Sequence, residues 1–288
     1  MSTMVINSNI ASITAQRHLA ESRNDMDQAM ERLSSGRRIN SAMDDAAGLT
    51  IAHSLDAKVT SLNQAARNAN DGISMINLAE GALDEVSSML TRMRELTVQA
   101  INGTYSDTDT DNMHSEYLAL TTEITRIANN TKFNGIQVIG ASANVTFQVG
   151  HSSSDTITLV TEKMQGTSLA SVNGTGGPYY LANTAISTVG TTTTVNSAKG
   201  SLARIDAAIN DVDSYRAKLG AAGNRLEHSA SNLYTRVENQ MAARSRIEDA
   251  DYAVEAANLA RAQILQEAGT AMLAQANATG VTILSLLK

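Results

Sequence analysis

Between Ala52 and Ile76 the apolar residues Ala52, Leu55, Val59, Leu62, Ala66, Ala69, Ile73 and Ile76 recur at alternating steps of three and four. Residues so spaced share one face of a helix, and the run is long enough to make a heptad seam. The phase then slips by one residue, and Ala79, Leu83, Val86, Leu90 and Met93 carry the stripe on. The pattern predicts a helix over about 44–99, on the order of 80 Å long at 1.5 Å per residue, which no sphere of this mass could hold as its core.

Met113, Tyr117, Leu120, Ile124 and Ile127 predict a second helix over 107–129, and "INGTYSDTDTD" before it supplies the Gly and cap-forming residues of a turn. Leu202, Ile205, Ile209, Val212, Leu219, Leu226, Ala230, Leu233 and Val237 fit one heptad frame and predict a third over 200–244. Three facing stripes make an elongated helical bundle. Residues 131–199 break this periodicity. Asn134-Gly135 between apolar runs signals a hairpin, and "VTFQVG" and "DTITLVTE" alternate as half-buried strands do. The distal part, rich in Gly, Thr and Ser and holding Pro178, reads as an exposed loop or small lobe.

The outer segments complete the arrangement. Leu19, Met26 and Leu33 are seven apart and stop before Gly36, and Ser41 and Asp44 have capping-box spacing ahead of the long helix. Ser245 and Glu248 repeat that spacing, followed by a small-residue stripe of Ala253, Ala257, Ala260, Ile264, Ala268 and Ala271. The chain runs out, turns through a β-rich region and returns, so its two terminal helices should lie side by side. The fold class is mainly α with a β-rich insert, divided into a terminal coiled coil (1–43 and 246–288) and a rod (44–245).

Composition sharpens this picture. The chain is 42% hydrophobic but 3% aromatic, with no Trp and two Phe, so aliphatic residues must build the core. One Pro in 288 residues favours long uninterrupted helices. A net charge of -7 argues against a nucleic-acid partner, and no apolar run is long enough for membrane insertion. There is no Cys, so packing alone stabilises the fold. The N-terminal stretch lacks a cleavable secretory pattern, its first basic residue being Arg17.

The chemistry of an enzyme is missing. His18, His53, His114, His151 and His228 stand singly, outside any metal-ligand spacing, and no Gly-rich phosphate loop or nucleophile elbow occurs. No catalytic residue, cofactor or metal is expected. The carboxylate pairs Asp44-Asp45 and Glu248-Asp249 read as helix-start charges, which complement the dipole. The terminal segments carry Ile6, Ile10, Ile13, Leu19, Met26 and Leu33 at one end and Ile264, Met272, Ile283, Leu284, Leu286 and Leu287 at the other. Two helices with Ala-rich facing sides bury little area against the cost of ordering the chain. The pair should be marginal alone, and these aliphatic residues should be covered by other copies of the chain.

The residues also resemble a known family. "ERLSSGRRINSAMDDAAGLTIA", "NDGISMINLAEGALDEV" and "RMRELTVQA" in the first half, with "NRLEHSASNL", "SRIEDADYAVEAANLARAQILQEAGTAMLAQAN" and "LSLLK" in the second, are similar to bacterial flagellins. The likeness covers about 1–172 and 200–288 and implies a subunit that polymerises into the flagellar filament. It further implies export of the unfolded chain by the flagellar type III route, an export chaperone, and filament cap and hook-filament junction proteins as partners. The family's motif for the vertebrate Toll-like flagellin receptor matches Arg92, Leu96 and Glu116. The region of about sixty residues from Gly140 to Gly200 marks a short form without a separate outer domain. A hook-filament junction protein would share the terminal helices but not polymerise indefinitely. A chemoreceptor-type hairpin would be continuous and membrane-anchored.

Overall fold

The computed structural model describes residues 9–165 and 191–285, so the Gly- and Thr-rich part of the insert, read as a loop or lobe, lies outside the described residues. In chain order the described elements are α1 (Ile10–Ser35), α2 (Ala46–Ile101), α3 (Asp107–Asn130), β1 (Lys132–Phe133), β2 (Ile136–Gln137), β3 (Ala143–Gln148), β4 (Thr156–Thr161), α4 (Thr191–Glu248) and α5 (Tyr252–Ser285). The chain is mainly α, and among the described residues two small antiparallel hairpins lie in its middle, in the region where the pattern predicts strands. It divides into two compact units, Met1–Val59 with Glu238–Lys288, and Thr60–Val237.

Most helix ends are written in the sequence. The Asn9 side chain accepts from Ser12 N–H at the start of α1, and Gly36 ends it in the left-handed region at φ 70°, its N–H donating to Arg32 O at 2.9 Å. Ser106 and Asp109 form a reciprocal capping box at the start of α3. Two caps differ from expectation. Ser41 and Asp44 close a separate turn, and the Asp45 carboxylate caps α2 by accepting from Gly48 N–H at 2.8 Å. A side chain at Gly48 would meet Asp45 Oδ2 at 2.5 Å and Ile39 Cδ1 at 2.7 Å, so the cap and the apolar residue before it close over a bare backbone.

Ser245 and Glu248 do not cap a helix. They lie in the last turn of α4, and Asp251 caps α5, accepting from Ala253 N–H at 2.9 Å and Val254 N–H at 3.3 Å. Glu248 is therefore at a helix end rather than a helix start. The same spacing fits a helix interior, and α4 runs on past the end of its apolar frame at Val237 to Glu248. At its other end α4 begins at Thr191, earlier than the expected 200.

The unit Thr60–Val237 has a continuous apolar core. Leu62, Leu83, Leu90, Met93 and Leu96 of α2, Tyr117 and Ile124 of α3, and Ile205, Tyr215, Leu219 and Leu226 of α4 are all buried. Each predicted stripe faces inward, and where the α2 stripe slips phase both Met75 and Ile76 are buried. Tyr215, outside the predicted frame, fills the gap between Val212 and Leu219, and its hydroxyl donates to Val138 O at 3.0 Å. Burial pushes that phenol up to about 12.

Asn134 and Gly135, at φ 48° and 84°, make the tight turn between β1 and β2. β3 pairs with β4 from Ala143↔Thr161 to Gln148↔Thr156, turning Ile157, Leu159 and Thr161 inward. Arg94–Asp206 (2.8 Å), Arg216–Glu80 (2.6 Å) and Lys218–Glu162 (2.6 Å) fasten the elements at the surface.

Candidate assembly surface

In the other unit α1 and α5 run antiparallel. At one end Asn9 Nδ2 donates to Ala276 O at 2.9 Å and Ser12 Oγ donates to Asn277 Oδ1 at 2.9 Å. At the other Arg32 meets Glu255 at 3.2 Å. The two polar ends fix the register, which a seam of small residues could not do by shape alone.

The facing positions are Ser12, Ala15, Leu19, Ser22, Met26, Ala29 and Leu33 on α1, and Glu255, Leu259, Ala262, Gln266, Gly269, Leu273 and Ala276 on α5. Only Ser12, Ser22, Ala29, Glu255 and Ala262 among them are buried, and the leucines and Met26 are half-buried. Small side chains let the backbones close up. Among the described residues, α1 and α5 are the one helix pair whose Cα atoms come within 8 Å along a whole seam. Gly269 sits so near α1 that an added methyl would touch Leu19 Cδ1 at 3.4 Å.

Other large apolar residues point the other way. Ile10 (65% exposed), Ile13, Met30, Ile264 (65%), Leu265 and Met272 (64%) stand on the outside of the pair. The predicted small-residue stripe of α5 belongs to this outer side: Ala253, Ala257, Ala260, Ile264, Ala268 and Ala271 are all exposed, and the inward stripe starts at Glu255 instead. The inward face of α5 mixes Glu255, Gln266 and Gly269 with Leu259, Ala262 and Leu273, and the outer face mixes Ile264, Leu265 and Met272 with Arg261, Gln263 and Glu267, so apolar residues stand on both sides. The pair thus encloses some large apolar residues and leaves others uncovered.

Of the residues expected to assemble, Ile10, Ile13, Ile264 and Met272 are exposed, and Leu19, Met26 and Leu33 are half-buried in the α1–α5 seam. Ile283 and Leu284 fall within α5. Ile6, Leu286 and Leu287 lie outside the described residues.

Below the pair the two connecting segments grip each other. Arg37 and Asp249 form an antiparallel bridge, with Arg38 N–H donating to Glu248 O at 2.6 Å and Ala250 N–H to Gly36 O at 3.0 Å. Arg38 Nη2 adds a bond to Ile247 O at 2.7 Å. The buried Glu248 carboxylate is met by Arg37 at 2.9 Å, and Arg244 bonds Asp56. A carboxylate this buried needs such partners.

The three residues of the receptor motif are within the other unit. Arg92 Nε donates to Glu116 Oε1 at 2.9 Å and its Nη1 to Glu95 Oε2 at 3.2 Å, both pairs exposed. These hydrogen bonds, Glu116 first, raise the pKa of the guanidinium further. Leu96 faces inward and is 2% exposed. Arg92 and Glu116 thus form one surface feature, with Leu96 packed beneath that helix face.

The chain matches two family models, the bacterial flagellin N-terminal helical region over residues 6–143 and the C-terminal helical region over 202–287. It is 43% identical to the flagellin of Xenorhabdus nematophila, with 99% of each chain covered. It is 41% identical to that of Halalkalibacterium halodurans, covering 99% of this chain and all of the relative. The solved structure of a protein assigned as flagellar hook-associated, from Vibrio parahaemolyticus, shares the fold with a TM-score of 0.61 at 16% identity, covering 72% of this chain and all of that one. No helix among the described residues is long and apolar enough to cross a membrane. Family models over most of the chain and 41–43% identity to flagellins over nearly its whole length lead to one assignment: this chain belongs to the bacterial flagellin family, the structural subunits of the flagellar filament, and is not an enzyme.

Proposed function

We propose that the outer face of the α1–α5 pair is the surface through which copies of this chain assemble, with Ile10, Ile13, Ile264 and Met272 as its central contacts. The residues Ile6, Ile283, Leu284, Leu286 and Leu287 extend it, and Leu19, Met26 and Leu33 hold the pair together from within. In this reading 1–43 and 246–288 form the assembling part and 44–245 the body it carries. The observation that carries the proposal is the exposure of Ile10, Ile13, Ile264 and Met272 on the outside of the pair. Burying them between copies gains roughly 25 cal/mol per Å² of apolar surface.

Seeded elongation tests it. Purified full-length chain should extend filament fragments, whereas chain lacking Ala274 to Lys288, and full-length Ile264→Asp, should keep their helical signal and fail to extend. Normal elongation by either variant would overturn the assignment of this face. A junction protein would not extend seeds even unmodified; alignment to filament flagellins over nearly the whole chain supports the filament subunit.

The same family membership supports passage of the unfolded subunit through the flagellar type III route, a chaperone holding the C-terminal segment, and folding beneath a cap. For the vertebrate Toll-like flagellin receptor, the exposed Arg92–Glu116 pair is the surface offered, with Leu96 supporting it from beneath. Substituting Arg92 and Glu116 together should lower receptor activation; unchanged potency rejects that role.

A further inference from the structure

The described methionines range from core to surface, with Met26 and Met89 half-buried between the extremes. Met75, Met93, Met113 and Met164 are buried in the core of the Thr60–Val237 unit, whereas Met30, Met43, Met241 and Met272 are exposed. Met43, in the segment between α1 and α2, is 96% exposed. Of the two methionines on the outside of the α1–α5 pair, Met30 (51%) and Met272 (64%), Met272 is the more exposed. Of its neighbours one turn away, Ala268, Gly269 and Ala276 are too small to screen a thioether and Gln275 alone is long, and it shares the outer side of α5 with Ile264.

We propose that Met272 is an oxidation site, reacting with peroxide before assembly, and that its sulfoxide blocks the surface it belongs to. In the reaction the Met272 sulfur attacks one oxygen of hydrogen peroxide; the O–O bond breaks, an S–O bond forms, and the departing hydroxide takes up a proton to leave as water. Sulfur is oxidised by two electrons and peroxide is reduced. The product replaces a flexible apolar side chain with a strongly polar acceptor. Buried against aliphatic side chains of a neighbouring copy, that oxygen would have no donor. The change is reversible by sulfoxide reductases, unlike the loss of the side chain. The effect on assembly rests on the proposed α1–α5 surface; the reactivity of Met272 does not.

The experiment uses full-length chain and dilute hydrogen peroxide, with peptide mass mapping to order the oxidised methionines. Met43 and Met272 should gain oxygen well before Met75, Met93, Met113 and Met164, and assembly into filament should shield Met272. Seeded elongation of oxidised monomer should fall about tenfold against untreated monomer, and treatment with sulfoxide reductase should restore it. Met272→Leu, compared with its own untreated form, should lose this sensitivity, whereas Met43→Leu should retain it.

Oxidation of Met272 no faster than of the core methionines would overturn the proposal, as would oxidised monomer that elongates normally or Met272→Leu as sensitive as the parent. Failure of untreated chain to extend seeds would instead reject the assembly surface, and the order of oxidation would still decide the reactivity of Met272.

Discussion

The two helical regions of this chain pack differently. In the Thr60–Val237 unit, Leu, Ile, Met and two Tyr fill the space between α2, α3 and α4 and are fully buried. In the α1–α5 pair, Ser, Ala, Gly and a buried Glu face in beside Leu and Met that stay half-buried, and Ile10, Ile13, Ile264 and Met272 face out. The seam therefore buries less apolar surface than the core, and in the assembly proposed above the remainder is covered by another copy, which adds to the stability of the pair by mass action.

Truncation should expose this contrast most strongly. Leu90→Ala empties a fully buried site and should cost about 3 kcal/mol of thermal or denaturant stability. Leu19→Ala, in the half-buried α1–α5 seam, should cost about 1 kcal/mol, read by hydrogen exchange of α5 amides. Equal losses would mean that the terminal seam is as dense as the core.

Next in size is a pair of glycine replacements expected to differ in sign. A methyl at Gly72 would lie 2.9 Å from Leu226 Cδ1 and 3.2 Å from the Phe147 ring, so Gly72→Ala should destabilise by about 1 kcal/mol despite its helix propensity. At Gly269 the nearest atom is 3.4 Å away, and Gly269→Ala should stabilise the pair by up to about 1 kcal/mol. Calorimetry of both variants beside the parent decides it.

The core also predicts an alkaline limit. Tyr215 ionises at about 12 when folded, above its unfolded value, so its contribution is complete below the unfolded pKa and is lost as pH rises through the folded one. Stability should therefore fall between about pH 10 and pH 12, and Tyr215→Phe should flatten that fall. The smallest effect lies on the acid side. Hydrogen bonds from Ser106 hold Asp109 below its ordinary pKa, so the capping box contributes above the usual carboxylate range and fades as pH falls through the lowered value. Ser106→Ala should remove that slight acid dependence from the melting temperature.

The contrast also explains what was legible in the sequence. The stripes of α2, α3 and α4 could be read directly, because there the apolar face is the buried face, and the Asn134-Gly135 turn carried its own backbone signature. Reading α5 by the same rule chose the outer face, since nothing local distinguishes an apolar stripe meant for a partner molecule from one meant for the core. Gly269, an unfavourable residue within a helix, was the signal that could have marked the inner side. The Ser245–Glu248 spacing misled because the apolar frame ends at Val237 while the helix continues to Glu248, so the end of the frame does not mark the end of the helix. Of the Toll-like receptor motif, the spacing aligned Arg92 with Leu96 along one helix, but only the fold brings Glu116 against Arg92.

The grip between the Gly36–Arg38 and Glu248–Ala250 segments has a kinetic meaning. It joins residues more than two hundred positions apart, and the Asn9–Ala276 hydrogen bond spans 267. Contacts of such separation require closing a very long loop and form late unless intervening structure has already shortened it. During synthesis α1 has no α5 to pair with until more than two hundred further residues have emerged, so of the described helices it is made early and secured late. The polypeptide thus passes through a long interval in which its opening segment is uncommitted, a timing fixed by the order of its elements rather than by any single residue.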